Sequence, residues 1–277
     1  MGDTVLYERR DEIGFITLNR PEAANAQNRR LTYDLDEAFT AFARDDEARV
    51  AVLRGAGKHF SAGHDTRPSG DDGGERRPVT LWWDHRGKEI TGEGLLAFEE
   101  ELYLGMCRRW RELPKPTIAA VAGACIGGGL SLAWSCDLIL ASDDAFFADP
   151  VVSMGCPGIE FFCHPWVLGP RLAKEFLYTG ERMPAQRAYE IGMVNRVVPR
   201  AELDAAATAL ATRIAERPRY ALALTKKAVN ACEDEMGLRS GMETSFALHQ
   251  LSHAHNTNIS GFPVLVTDPA KLKTASQ

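Results

Sequence analysis

No stretch of this sequence approaches the ~18 consecutive apolar residues of a membrane-spanning helix, and the N-terminal run from Met1 to Arg10 contains no apolar signal core. The chain is therefore expected in the cytoplasm, with no membrane partner. Lysines and arginines are scattered rather than run together, at a net charge of −6 and a pI near 5.7. This leaves no basic face of the kind that nucleic acid or an anionic surface requires, and no nucleic-acid partner is expected. The six cysteines, at positions 107, 125, 136, 156, 163 and 232, show no paired metal-ligand spacing. Several lie in apolar runs and read as reduced core thiols, with only Cys163 standing beside a histidine, His164. No clear internal repeat is present. What remains is 277 residues, enough to bury a substantial core, as one large domain or one domain with an appendage.

Two glycine turns stand out. Thr117 to Val121 is a short apolar β-type run that ends at Gly123, and Gly127-Gly128-Gly129 then open an apolar helical segment. Glycine lets another oxygen approach the main chain, and a helix start adds unpaired N–H groups and a partial positive charge. The natural client is a phosphate, a carboxylate or an oxyanion made during reaction, although close helix packing would use the same residues. The second stretch runs from a buried strand, Val50 to Leu53, through glycines into Ser61-Ala62-Gly63-His64-Asp65.

Around these turns the pattern is mixed. Val5–Arg9 and Ile13–Leu18 suggest a hairpin, and Leu31, Leu35, Ala38, Phe39 and Phe42 recur at helical spacing. Residues 66–95 are rich in Gly, Pro and charge, which predicts a mobile surface loop. A helix over 95–113 stops at Pro114, and Asp137–Ala141 reads as a buried strand. Helical segments follow at 166–178, interrupted by Gly169-Pro170, and at 184–191. From residue 201 onward the pattern is helical only.

Phe60-Ser-Ala-Gly-His-Asp65, then Lys115-Pro-Thr-Ile-Ala-Ala-Val-Ala-Gly123, Gly127-Gly-Gly129 and Cys136-Asp137 together resemble the enoyl-CoA hydratase/isomerase, or crotonase, superfamily. Supporting matches run from Leu18-Asn-Arg-Pro21 with Asn25-Ala26 to Gln186-Arg-Ala188 and Gly192-Met-Val-Asn-Arg-Val-Val-Pro199. The resemblance implies an α/β fold with a crotonase-like ββα spiral core over residues 1–200. A C-terminal helical trimerisation region over 201–277 would give a homotrimer or a hexamer built as a dimer of trimers. It implies an acyl-CoA substrate, with coenzyme A present as part of the thioester and no permanently bound cofactor. The loop from Glu22 to Asn28, including Ala24 and Ala26, and the turn residues Ala62, Gly63, Asp65 and Thr66 would then hold the CoA moiety. The N–H groups of His64 and Gly128 would form the oxyanion hole that stabilises a thioester enolate. Loss of one such donor costs about 2.7–4 kcal/mol.

The sequence departs from the family pattern where hydratases carry two glutamates. Those positions are Ser131 and Val151. A positioned acid or base is worth about 10²–10⁴-fold, so either other residues have taken over, or another crotonase reaction is run, or the chain only binds acyl-CoA. Candidate replacements are Glu160, His164, Asp149 and Ser131. Asp149 lies two residues before Val151, on the same face if the strand continues; Glu160 occupies a loop from which some family members supply an acid. His164 is a candidate because histidine is the residue type whose ordinary charge change falls near neutral pH. Each has an ordinary alternative as a loop salt bridge, cap or satisfied core group.

Two further features stay open. Ser61-Ala-Gly-His-Asp65 resembles the turn of methylmalonyl-CoA decarboxylases, where this histidine meets the substrate carboxylate, but Gly158 stands near the place of their tyrosine. His249 and His253 share a helix face at i, i+4, with His255 nearby. With no carboxylate or cysteine beside them in the sequence, they read as a polar surface or subunit contact and no metal is expected. Trp82-Trp83 is a candidate for the acyl pocket or a subunit contact.

Overall fold

The computed structural model describes residues 2–66, 77, 79–80, 82–83 and 91–265. The expected loop over 66–95, including Asp84-His85-Arg86, lies largely outside the described residues. Trp82 and Trp83 are described and meet edge to face, with ring centroids 5.4 Å apart.

The chain opens with the expected hairpin, β1 (Val5–Arg10) against β2 (Ile13–Leu18). Helix α1 (Arg29–Arg44) starts at Asn28, whose side chain accepts the Leu31 N–H at 3.0 Å, a side-chain cap that replaces a missing helical partner. After β3 (Val50–Gly55) come α2 (Gly92–Glu99), a π-helical turn over Glu100–Gly105, and α3 (Met106–Arg111). The glycine region resolves into β4 (Thr117–Val121), β5 (Ala124–Ile126) and α4 (Gly128–Trp134). Then follow β6 (Leu138–Ser142), β7 (Phe146–Ala148), α5 (His164–Leu168), α6 (Pro170–Thr179), β8 (Met183–Pro184), α7 (Ala185–Glu190) and β9 (Arg196–Val198). Helices α8 (Leu203–Ala215), α9 (Arg219–Glu235) and α10 (Leu238–Ser260) close the chain.

One sheet has the order β1-β2-β3-β4-β6-β9, parallel except for the hairpin, and a small second sheet has the order β5-β7-β8. Strands covered on both faces read as continuous apolar runs, which is why Val50 to Leu53 and Thr117 to Val121 show no polar alternation. Successive side chains still part to opposite faces. Ala51, Leu53, Ala119 and Val121 join a core with Leu35, Phe39 and Trp110, whereas Val50, Val52, Ile118 and Ala120 pack on Leu203, Ala207, Leu210 and Ala211 of α8.

The change from strands to helices near residue 200 thus falls inside one packed body. Helix α8 covers one face of the main sheet, and α10 packs on α2. Among the described residues no helix is long and apolar enough to cross a membrane.

Candidate active site

The two glycine turns are tied together by their backbones. The Ala62 N–H donates to the Ala24 carbonyl at 2.9 Å, the Gln27 N–H to Gly63 at 2.7 Å, and the Ile126 N–H to Ser61 at 3.0 Å. Arg20 adds a largely buried ion pair with Asp65 at 3.0 Å, pinning the 61–65 turn to the loop that follows β2. Gly63 has φ +92°, and a Cβ there would sit 2.7 Å from the Ile126 carbonyl oxygen and 3.2 Å from the Gly128 nitrogen. No side chain fits in that backbone conformation and gap. The N–H groups of His64 and Gly128 therefore lie on adjoining turns, and neither donates to a protein acceptor among the described residues.

Both turns line a cavity of about 650 Å³. Ala26, Ala62, Gly63, Asp65 and Thr66 are on its wall; Ala24 is not, and contributes only its carbonyl to the turn. Another cavity, of about 580 Å³, lies by Trp134, Trp166 and Lys226 and touches none of the candidate residues.

Of the four proposed replacements for the family glutamates, Glu160 alone lines the cavity beside the turns. Its Oε2 accepts from His64 Nε2 at 3.0 Å, with the Glu160 side chain 4% and the His64 side chain 21% exposed. Burial opposes charge on the His64 ring, but the Glu160 carboxylate, helped by Glu99 and Asp149, raises its pKa above the ordinary value. Burial likewise works to raise the Glu160 pKa, and His64 overrides it, holding the carboxyl below its ordinary range. The two groups form an ion pair. The His64 ring also stacks on Tyr103, centroids 3.6 Å apart, and its Nδ1 is buried with no hydrogen-bond partner among the described residues.

Asp149 and His164 lie off the cavity wall, 3.0 Å apart and both fully buried. β7 stops at Ala148, so strand alternation does not carry Asp149 into the site. Its carboxylate instead accepts from the Val151 and Ile159 N–H groups and from His164, whose ring packs against Trp134 and Phe162. Truncating Asp149 to Ala would strand three donors, two of them in buried hydrogen bonds, and is expected to lower stability by about 3 kcal/mol or more. Denaturant unfolding checks this; an unchanged midpoint would refute the structural assignment. Ser131 is buried in α4, off the wall, with its hydroxyl unpaired among the described residues, and Val151 is on the wall.

The cavity also holds residues that sequence reasoning missed or misread. His249 and His253 are not a polar surface: both are buried, on one face of α10, and Glu99 and Cys156 lie beside them. His253 donates from Nδ1 to the Pro263 carbonyl at 2.8 Å and from Nε2 to Glu99 at 2.9 Å, the pattern of an imidazolium. Burial lowers its pKa, but the hydrogen bonds to Cys156 and Glu99 and the Glu99 charge raise it to about 11. Glu99 ends α2, and the wider π-helical turn that follows brings Tyr103 to the same cavity. The i, i+4 histidine pair was the only local signal, because Glu99 is 154 residues from His253.

The adjoining glycine turns thus lie over a cavity that contains the His64–Glu160 pair, and comparison with known proteins shows the family. The sequence model of the enoyl-CoA hydratase/isomerase family matches residues 8–79 and 88–261. The chain belongs to this family, within the crotonase superfamily. It is 42% identical over 266 residues to a putative enoyl-CoA hydratase, EchA13, of Mycobacterium tuberculosis, covering 93% of this chain and 83% of that protein. The crystal structure of a probable enoyl-CoA hydratase from Mycobacterium smegmatis superimposes with a TM-score of 0.86 at 49% identity, covering 95% of this chain and 99% of the other. That of an enoyl-CoA hydratase/isomerase from Xanthobacter autotrophicus Py2 gives 0.81 at 30% identity, over 98% and 95%. The fold is thus a crotonase α/β fold with a helical C-terminal region.

Proposed function

We propose that the protein hydrates a 2-enoyl-CoA thioester through an enolate held by the N–H groups of His64 and Gly128, with Glu160 and His64 as the proton-handling pair. The observation that carries this reading is the His64–Glu160 ion pair on the wall beside two free backbone donors. Backbone donors fixed before the reaction stabilise charge that develops on the thioester oxygen. Glu160 holds His64 through Nε2, and the unpartnered Nδ1 lies beside the Gly128 backbone, where a Cβ would be 2.8 Å from it. With the thioester oxygen held by the two N–H groups, the ring would deliver its proton to the carbon next to the carbonyl. The loop from Glu22 to Asn28 and the turn from Ala62 to Thr66 hold the CoA moiety, which enters as part of the substrate; the protein works in the cytoplasm.

Decarboxylation of a malonyl-type thioester fits less well. His64 Nε2 is already committed to Glu160, and Glu99 and Glu160 would both repel the free carboxylate of such a substrate. Simple acyl-CoA binding leaves the buried ion pair without a use. Loss of enoyl absorbance from crotonyl-CoA tests the reading: saturable hydration is expected, and tight thioester binding without any hydration would refute it.

The pair also sets a pH window. The stability it contributes through Glu160 is present above the ordinary carboxyl value of 4.5 and lost as pH falls through the lowered folded value. Through His64 it is present below 6.5 and lost as pH rises through the raised folded value. Among the described residues, Glu99, Asp149, His249, Tyr103 and Cys107 also lie near this pair. Turnover is expected to fall on both sides of a plateau, and a pH-independent kcat/KM from 4 to 10 would contradict the assignment.

Helices α9 and α10 and the turn between them expose Tyr220, Leu224, Met236, Leu251 and Ile259. We assign this face to a homotrimer or hexamer, and sedimentation as a monomer would refute it.

A further inference from the structure

Glu99 and Glu160 each give one carboxylate oxygen to a histidine: Glu99 Oε1 accepts from His253 and Glu160 Oε2 from His64. Their other oxygens turn toward one atom. His249 Nε2 lies 3.9 Å from Glu99 Oε2 and 3.7 Å from Glu160 Oε1, too far for hydrogen bonds. The other nitrogen of that ring, Nδ1, donates to the Gly158 carbonyl at 2.8 Å, which fixes the ring and leaves Nε2 facing the gap. All three side chains are more than nine-tenths buried, and all line the cavity that contains the glycine turns. Their facing atoms fall within 4.8 Å of one another.

A gap bounded by acceptors calls for a donor small enough to reach them together. A divalent cation is the first alternative, but His64 and His253 already balance the two carboxylates. A water, with two donors and no charge, suits the gap better. We propose that Glu99, Glu160 and His249 hold the water that adds to the substrate, with Glu99 as its general base. In the reverse direction the same three atoms would hold the β-hydroxyl of a 3-hydroxyacyl thioester.

The assignment rests on the hydratase reading and completes it. Glu99 takes one proton from the water as the water oxygen bonds to the β-carbon. The double-bond electrons move to form the enolate at the thioester oxygen, and His64 then delivers a proton to the α-carbon as the carbonyl re-forms. One water is added, as OH at the β-carbon and H at the α-carbon. The proton left on Glu99 returns to the Glu160–His64 pair through the next water that enters the gap, which His249 Nε2 and both carboxylates face. His253 donates to Glu99 Oε1, and Gln250 donates to the Glu99 oxygen that faces His249.

The test uses the full chain, with crotonyl-CoA hydration as the rate, butyryl-CoA affinity as the binding readout, and metal content measured on the purified protein. Glu99→Gln keeps the shape of the group and an acceptor for His253. It is expected to lower kcat by about 100-fold or more while the butyryl-CoA Kd stays within about threefold, and Glu99→Asp should recover part of the rate. His249→Gln should lose at least about 10-fold. Turnover by Glu99→Gln within about threefold of wild type, or a rate loss matched by lost butyryl-CoA binding, would overturn the proposal. If Glu99→Gln does not fold, a His249→Gln enzyme with wild-type turnover overturns it alone. Stoichiometric divalent metal whose chelation stops the reaction would also overturn it. A wild type that hydrates no enoyl thioester removes the parent reading along with this one, whereas an active wild type with an active Glu99→Gln variant removes this one only.

Discussion

Glu160→Gln is expected to lower kcat for enoyl-thioester hydration by about 10²–10⁴-fold while leaving acyl-CoA affinity within about threefold. The amide has nearly the shape of the carboxyl group, so the cavity wall and the Gly158–Glu160 loop should keep their form. It carries no charge, however, and the imidazolium form of His64 is favoured because Glu160 is 3.0 Å away, by charge and by hydrogen bond. Without that support, burial dominates and the His64 pKa falls. The residual activity should therefore lose its plateau at a lower pH than wild type. A variant with the wild-type rate and pH profile would show that the pair is only structural.

Gly128→Ala is expected to cost about 100-fold or more in kcat without unfolding the protein. The substitution leaves the N–H in place but puts a methyl group 2.5 Å from His64 Cε1 and 2.8 Å from Nδ1. The ring cannot simply step aside, because Tyr103 stacks on it at 3.6 Å and Glu160 holds Nε2. Either the ring moves and the Glu160 bond breaks, or α4 shifts and the Gly128 N–H leaves its place next to the His64 N–H. Both outcomes damage the same step. Circular dichroism should be unchanged, and a rate within about threefold of wild type would mean that Gly128 is not where the thioester oxygen is held.

Much of the fold was legible from local pattern. The hairpin, α1 and the buried parallel strands each follow from periodicity or from a continuous apolar run. The adjoining glycine turns also announce themselves, because close backbone approach leaves glycine as a trace in the sequence. The short strands β5 and β8 were not visible, since a three-residue strand and a two-residue strand carry too little pattern to read. For the acid–base groups, nearness in sequence misled. Asp149 and His164 are near the positions of the family glutamates, yet a strand end turns them toward each other and away from the cavity. Glu99, His249 and His253 come from helices far along the chain, and only the packing of α10 on α2 brings them to the site. A split of the chain at residue 200 assigns these histidines to oligomerisation, whereas α10 forms part of the cavity wall.

The most direct measurement is deuterium uptake from D₂O at the α-carbon of butyryl-CoA, which cannot be hydrated and so reports enolate formation alone. The wild type is expected to exchange the α-proton, with Glu160→Gln slower by about 100-fold or more. No exchange by a wild type that binds butyryl-CoA at saturation would contradict an enolate held by the His64 and Gly128 N–H groups and protonated from the His64–Glu160 pair.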